Sequence, residues 1–132
     1  MSPARHCCRR IQFTGWQSPA EMALRYASAD ILVVPSRYEP FGMVILEGML
    51  HGLAIVAADV GGPAEILEHG RTGLLFPPRD VVALSSALQR LLKNPEERRE
   101  LGRTAAREVR SKWLWKQIVP PMLDVYREFT FH

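Results

Sequence analysis

Between Gly42 and Ala58 the chain carries one charged side chain, Glu47. It stands at helical spacing i, i+4, i+7 with Met43 and Leu50, which puts a carboxylate on an otherwise apolar face. A carboxylate buried without hydrogen-bond donors costs several kcal/mol. This acid is therefore solvated on a half-exposed face, satisfied by a nearby arginine, or engaged by a polar ligand. About one and a half turns into a helix, it would lie ~7 Å beyond the helix start. From there it can reach hydroxyls of a ligand whose phosphates rest on the helix N-terminus. Glu39, eight positions earlier, stands in a loop, either solvated or approaching the same ligand from the other side. Gly42 between them is either a simple turn residue or a point of close backbone approach. A diphosphate at that helix end would gain up to ~2 kcal/mol from the helix dipole.

The elements that must position these acids follow from the pattern. Ile11 to Gly15 reads as a short strand with apolar alternation. Ser18-Pro19-Ala20-Glu21 is a capping box with proline in the first helical position, opening a helix that ends near Ala29. Ile31 to Val34 is a continuous apolar run, suited to a strand of a parallel sheet covered on both faces. After the loop Pro35 to Phe41 a helix is predicted over Gly42 to His51, stopped by Gly52, and then a buried strand over Leu53 to Ala58. Asp59-Val60-Gly61-Gly62 is a glycine turn, Pro63 opens a short helix closed by Gly70, and Gly73 to Phe76 is the last strand. Asp80 caps a helix with Val81, Leu84, Leu88, Leu91 and Leu92 at 3.6-residue spacing. Asn94-Pro95-Glu96-Glu97 reads as a second capping box. A last helix lies between Trp113 and Phe129, bent or interrupted at Pro120-Pro121, with aromatics that are either core or a partner surface. Strands alternating with helices give an α/β fold, a Rossmann-like parallel sheet with right-handed crossovers and flanking helices. Such sheets bind ligands at the carboxyl ends of their strands, where Ser36–Gly42 and Asp59–Gly62 lie.

Composition excludes several classes. At 132 residues, 47% hydrophobic and 23% charged, the chain has the make-up of one globular domain. No apolar run approaches the ~20 residues of a membrane span. The net charge of +3 suits an anionic small molecule without requiring one. Cys7 and Cys8 are adjacent, with neither metal-ligand spacing nor the reach of a structural disulfide, and point to a reducing, cytoplasmic setting. His6, His51, His69 and His132 are scattered and form no metal box. Arg99, Arg103 and Arg107 share a helix face with interspersed glutamates, a solvated mixed-charge face rather than a nucleic-acid patch. Residues 1–10 lack the apolar stretch of a signal peptide and read as a disordered tail or the ragged edge of a truncated coding sequence.

Taken together, Pro35-Ser36-Arg37-Tyr38-Glu39-Pro40-Phe41-Gly42-Met43-Val44-Ile45-Leu46-Glu47 resembles the E-x7-E segment of retaining glycosyltransferases with the GT-B fold. The similarity is to group 1, or family four, which includes sucrose synthases, sucrose-phosphate synthases and many bacterial mannosyl- and glucosyltransferases. It continues through Ala58 to Ile66 and Glu68 to Pro78 and covers nearly the whole chain from Ile11 onward. The resemblance implies that residues 11–132 are a nucleotide-sugar-binding C-terminal domain, lacking its first β–α units. It makes Glu39 the catalytic-site acid, contacting the donor sugar near its 3- and 4-hydroxyls. The backbone at Phe41, Gly42, Met43 and Val44 would hold sugar and diphosphate, and Glu47 would bind the ribose hydroxyls. Transfer would proceed with retention and without a metal or other cofactor, the departing diphosphate being stabilised electrostatically.

The chain departs from the family pattern in places. The arginine and lysine that neutralise the diphosphate in the family belong to an earlier loop absent here, and Arg9 and Arg10 cannot take their place. Gly48 and His51 stand where alanine and a small residue are commoner, Gly48 at a cost of about 1 kcal/mol in helix propensity. The expected partners are a nucleotide-sugar donor and an N-terminal acceptor domain, missing here or carried by a separate chain. No nucleic acid is expected, and membrane association only through the missing part. Two other readings stand beside a transferase fragment inactive alone: a non-catalytic binding or regulatory module, and a nucleotide-sugar epimerase or hydrolase of the same architecture, which the PFG-x4-E pattern disfavours.

Overall fold

The computed structural model describes residues 11–130 of the chain. The reading of residues 1–10 as a tail, with Cys7 and Cys8, lies outside them. The element order is α1 (Pro19–Ser28), β1 (Ile31–Val34), α2 (Met43–Leu50), β2 (Ala54–Ala58), α3 (Gly61–Ile66), β3 (Leu74–Phe76), α4 (Val81–Lys93), α5 (Pro95–Lys112) and α6 (Trp115–Thr130). The three strands form one parallel sheet in the order β1-β2-β3, with Ile31 beside Ala54 and Val56 beside Leu74.

β2 is the spine. All five of its residues are buried, and its side chains alternate between two cores as a strand's must. Ile55 and Ala57 face one core with Tyr26, Ile45, Met49 and Val109, while Ala54, Val56 and Ala58 face the other with Leu74, Leu91 and Leu101. Helices cover both faces, as the continuous apolar runs foretold. β1 departs from expectation: Ile31, Leu32 and Val33 are only half-buried. It is an edge strand, with no strand on its outer side among the described residues.

Local signals decided most boundaries. The Ser18 box forms, its hydroxyl accepting from the Glu21 N–H at 3.3 Å and the Glu21 carboxylate accepting from the Ser18 N–H at 2.7 Å. Asp80 caps α4 through the Ala83 N–H at 2.8 Å. Gly52, at φ 71°, follows α2 as anticipated.

Three further expectations fail, and a fourth fails in part. Residues 11–15 form no strand; without a ladder partner their alternation has nothing to select a face, and Phe13 is 95% exposed. Asn94 precedes α5, but its side chain donates to the Arg90 carbonyl at 2.7 Å and Glu97 pairs with Arg90, so both serve the end of α4 and no box forms. α3 begins at the glycines rather than at Pro63 and ends at Ile66, before Gly70. The proline lies in the first turn, where its missing N–H costs nothing. α6 runs through Pro120 and Pro121 uninterrupted; on this exposed helix water can satisfy the carbonyls the prolines leave unpaired. Among the described residues no helix is long and apolar enough to cross a membrane.

Gly48 acquires a purpose. A Cβ there would come within 2.5 Å of Leu32 Cδ2 and 2.9 Å of Ile55 Cδ1. The glycine lets α2 lie directly on the sheet, which offsets its poor helix propensity.

Candidate functional site

The loop after β1 and the start of α3 meet backbone to backbone. The Gly62 N–H donates to the Glu39 carbonyl at 2.9 Å. A Cβ on Gly61 would fall 2.4 Å from the Glu39 carbonyl oxygen, and one on Gly62 would fall 1.9 Å from that of Phe41. Only glycines allow this approach, and Gly61 is also at positive φ, 37°. The start of α3 therefore acts as a clamp on the segment that holds Glu39.

Glu39 is held at both ends. Besides the carbonyl contact, its Oε1 accepts from the Gly42 N–H at 3.1 Å. Gly42 is the N-cap of α2, in the left-handed region at φ 92°, and has no side chain to cap with. The N–H groups of Met43 and Val44 follow in the first turn, where no intrahelical acceptor exists. The helix dipole makes this end favourable for negative charge. Phe41 is half-exposed and meets Trp113 edge-on, ring centroids 6.5 Å apart. The Met43 side chain is exposed and Val44 partly buried.

Glu47 sits on the outer face of α2. Met43 and Leu50 share that face and are exposed too, whereas the core takes Ile45, Leu46, Gly48 and Met49. Of the alternatives that sequence leaves open, the exposed face is the one realised: the helix turns that stripe outward, so its carboxylate carries no large burial cost. Of that stripe Glu47 borders a cleft of about 380 Å³ between α1 and α2, whose walls include Trp16, Met22, Tyr26, Glu47 and His51. Tyr26 reaches across from α1, its hydroxyl donating to Glu47 Oε2 at 2.9 Å. Burial, and then the neighbouring Glu47 carboxylate, push the Tyr26 phenol up to about 12, so it remains a proton donor at neutral pH. Among the described residues Glu47 makes no ion pair. The arginine alternative is thereby removed. Its second carboxylate oxygen, acceptor-only, has no partner among those residues.

The site residues expected from sequence thus divide. Glu47 joins Tyr26, His51 and Trp16 around the cleft; Glu39, Phe41, Gly42, Met43 and Val44 form the adjoining helix start, about 7 Å back along α2 by helical rise. Sequence reading missed Tyr26 as a polar member, taking it as one of the helix's apolar positions. The available signal was chemical: a buried tyrosine hydroxyl needs a partner, and Glu47 is the one acid on the element packed against it. Among the described residues no group of three or more His, Cys, Asp or Glu could hold a metal ion.

This architecture is that of an open parallel α/β sheet whose candidate site lies at the carboxyl ends of β1 and β2. The family model for glycosyl transferases group 1 matches residues 4–108, and the chain belongs to that family. It is 42% identical over 107 residues to the sulfoquinovosyl transferase SQD2 of Arabidopsis thaliana, covering 79% of this chain and 21% of that protein. It is 33% identical over 118 residues to a glycogen synthase of Mycobacterium tuberculosis, covering 89% and 28%. Among solved structures, a sucrose-phosphate synthase from Thermosynechococcus elongatus superposes with TM-score 0.87 at 36% identity, over 96% of this chain and 32% of that one. Anabaena HepE, solved in complex with UDP, gives TM-score 0.87 at 26% identity, over 93% and 34%. The fold is accordingly that of the GT-B glycosyltransferases, and the chain spans about a third or less of the length of these relatives.

Proposed function

We propose that this chain is the donor-binding part of a retaining glycosyltransferase and takes a nucleoside-diphosphate sugar. The diphosphate rests on the Met43 and Val44 N–H groups at the start of α2, where dipole and unpaired donors favour an anion. Glu47 accepts from the ribose hydroxyls. Glu39 contacts the sugar hydroxyls through the carboxylate oxygen that Gly42 does not occupy. In this reading Glu39 orients the sugar, and the charge that develops on the leaving diphosphate is met by the fixed N–H dipoles, with no metal needed. The acceptor is supplied by sequence beyond these 132 residues, so the chain alone binds donor without transferring it. The observation that carries the reading is the clamped carboxylate: Tyr26 holds Glu47 at the mouth of a cleft, one to two turns from unpaired helix N–H groups.

Calorimetric titration with UDP, GDP and ADP and their sugar conjugates tests it. One of these series is expected to bind, and Glu47→Ala to weaken it about tenfold or more, since hydrogen bonds to a charged acceptor are worth about 1.5 to 3 kcal/mol. A Glu47→Ala chain that binds as tightly as the parent rules out the ribose assignment.

A further inference from the structure

His51 is the residue of the cleft that the motif does not anticipate, and its chemistry is fixed by one contact. Its Nδ1 lies 2.9 Å from the Glu47 carbonyl oxygen. A carbonyl only accepts, so in the neutral ring Nδ1 carries the hydrogen and Nε2 is left as an acceptor. The ring packs on Tyr26, centroids 5.2 Å apart, and borders the cleft. Nε2 has no hydrogen-bond partner among the described residues.

Position along α2 says what that acceptor faces. Met43, Glu47 and His51 are four residues apart, so they line one side of the helix at steps of about 6 Å. If the diphosphate is at Met43 and the ribose at Glu47, the next group along a nucleoside diphosphate, its base, falls beside His51. Across the cleft stands Trp16, with its ring 85% exposed. The loop presenting it is held by Gln17, whose Nε2 donates to the carbonyls of Thr14 at 3.1 Å and Trp16 at 3.0 Å. Gln17 Oε1 is taken in turn by Arg25 Nε at 2.7 Å, so Gln17 is committed to the scaffold.

We propose that His51 is a specificity-determining residue, its Nε2 accepting a hydrogen bond from an N–H on the edge of the donor's nucleobase while the base lies against Trp16. The inference rests on the donor-binding reading above and extends it from ribose to base.

The test uses the full chain, titrated with UDP, GDP and ADP, and with ribose 5-diphosphate, the same ligand without its base, in competition. His51→Ala is expected to weaken the best nucleoside diphosphate about threefold to tenfold, the range of one neutral hydrogen bond, and to leave ribose 5-diphosphate unchanged. His51→Phe, which keeps a ring against Tyr26 without the acceptor, should show the same loss, and His51→Gln, which restores an acceptor, should recover part of it. Equal losses for both ligands would mean that His51 only braces Glu47, and would overturn the proposal. So would unchanged nucleotide binding in His51→Ala and His51→Phe while Glu47→Ala still weakens it. A parent chain that binds none of the ligands, or a Glu47→Ala chain unaffected for all, instead removes the donor-binding reading beneath.

Discussion

The start of α2 and the whole of α6 are built in opposite ways. Around Glu39 and Gly42 a loop and a helix start touch through their backbones, glycines removing every atom that would hold them apart. On α6, Trp115 is 77% exposed and Phe129 80%, and only the first turns are partly buried. Of the aromatics that sequence leaves open between core and partner surface, Trp113 packs against a core while Trp115, Tyr126 and Phe129 are surface. The contrast separates rigidity from apolar content. The candidate site is fixed by close backbone approach and a few directed hydrogen bonds, whereas α6 is rich in apolar side chains and contributes none of its described residues to either core.

That contrast can be broken most severely at the clamp. Gly62→Ala drives a methyl into the Phe41 carbonyl, which the backbone can relieve only by separating the two segments. A loss of about 3 to 5 kcal/mol, read by urea unfolding, is expected, in the range reserved for backbone conflicts and core disruption. A loss below 1 kcal/mol would show the two segments to be loosely coupled.

Next comes the bond between α1 and α2. Tyr26→Phe removes the hydroxyl that fixes Glu47 and should cost about 1 kcal/mol of stability. The parent carries a pH signature as well. A phenol whose folded pKa is raised from 10.0 to about 12 contributes stability that is complete below pH 10 and lost as pH climbs through 12. Thermal midpoints should therefore fall more steeply between pH 10 and 12 in the parent than in Tyr26→Phe. Parallel curves would mean that folding does not raise the Tyr26 phenol.

The smallest effect belongs to α6. Phe129→Ser should alter stability by less than about 0.5 kcal/mol, the usual range for exposed positions. A larger loss in chemical denaturation would place that ring in a contact and dissolve the distinction between the two regions.

Much of this molecule was legible as sequence. The Ser18 box, the Asp80 cap, Gly52 after α2 and the continuous apolar run of β2 each depend on residues within a few positions of one another, so spacing alone reveals them. The motif around Glu39 and Glu47 was legible in the same way, because both acids are placed by one loop and one helix. Where a local signal had two possible partners the reading failed. Asn94 and Glu97 satisfied α4 and its Arg90 instead of forming a box, and Ile11 to Gly15 had the alternation of a strand without a neighbour to pair with.

Tertiary structure alone decided which face of α2 turns outward, that Tyr26 meets Glu47 across 21 residues, and that Gly62 presses on the Glu39 loop. Periodicity gives the angle between side chains on one element but not the rotation of that element against the next. That rotation is set by how the crossovers lay α1, α2 and α3 onto β2, and it is fixed by packing at contacts far apart in the chain. The types and spacing of the acids were therefore written locally, while their partners were chosen by the sheet that gathers them.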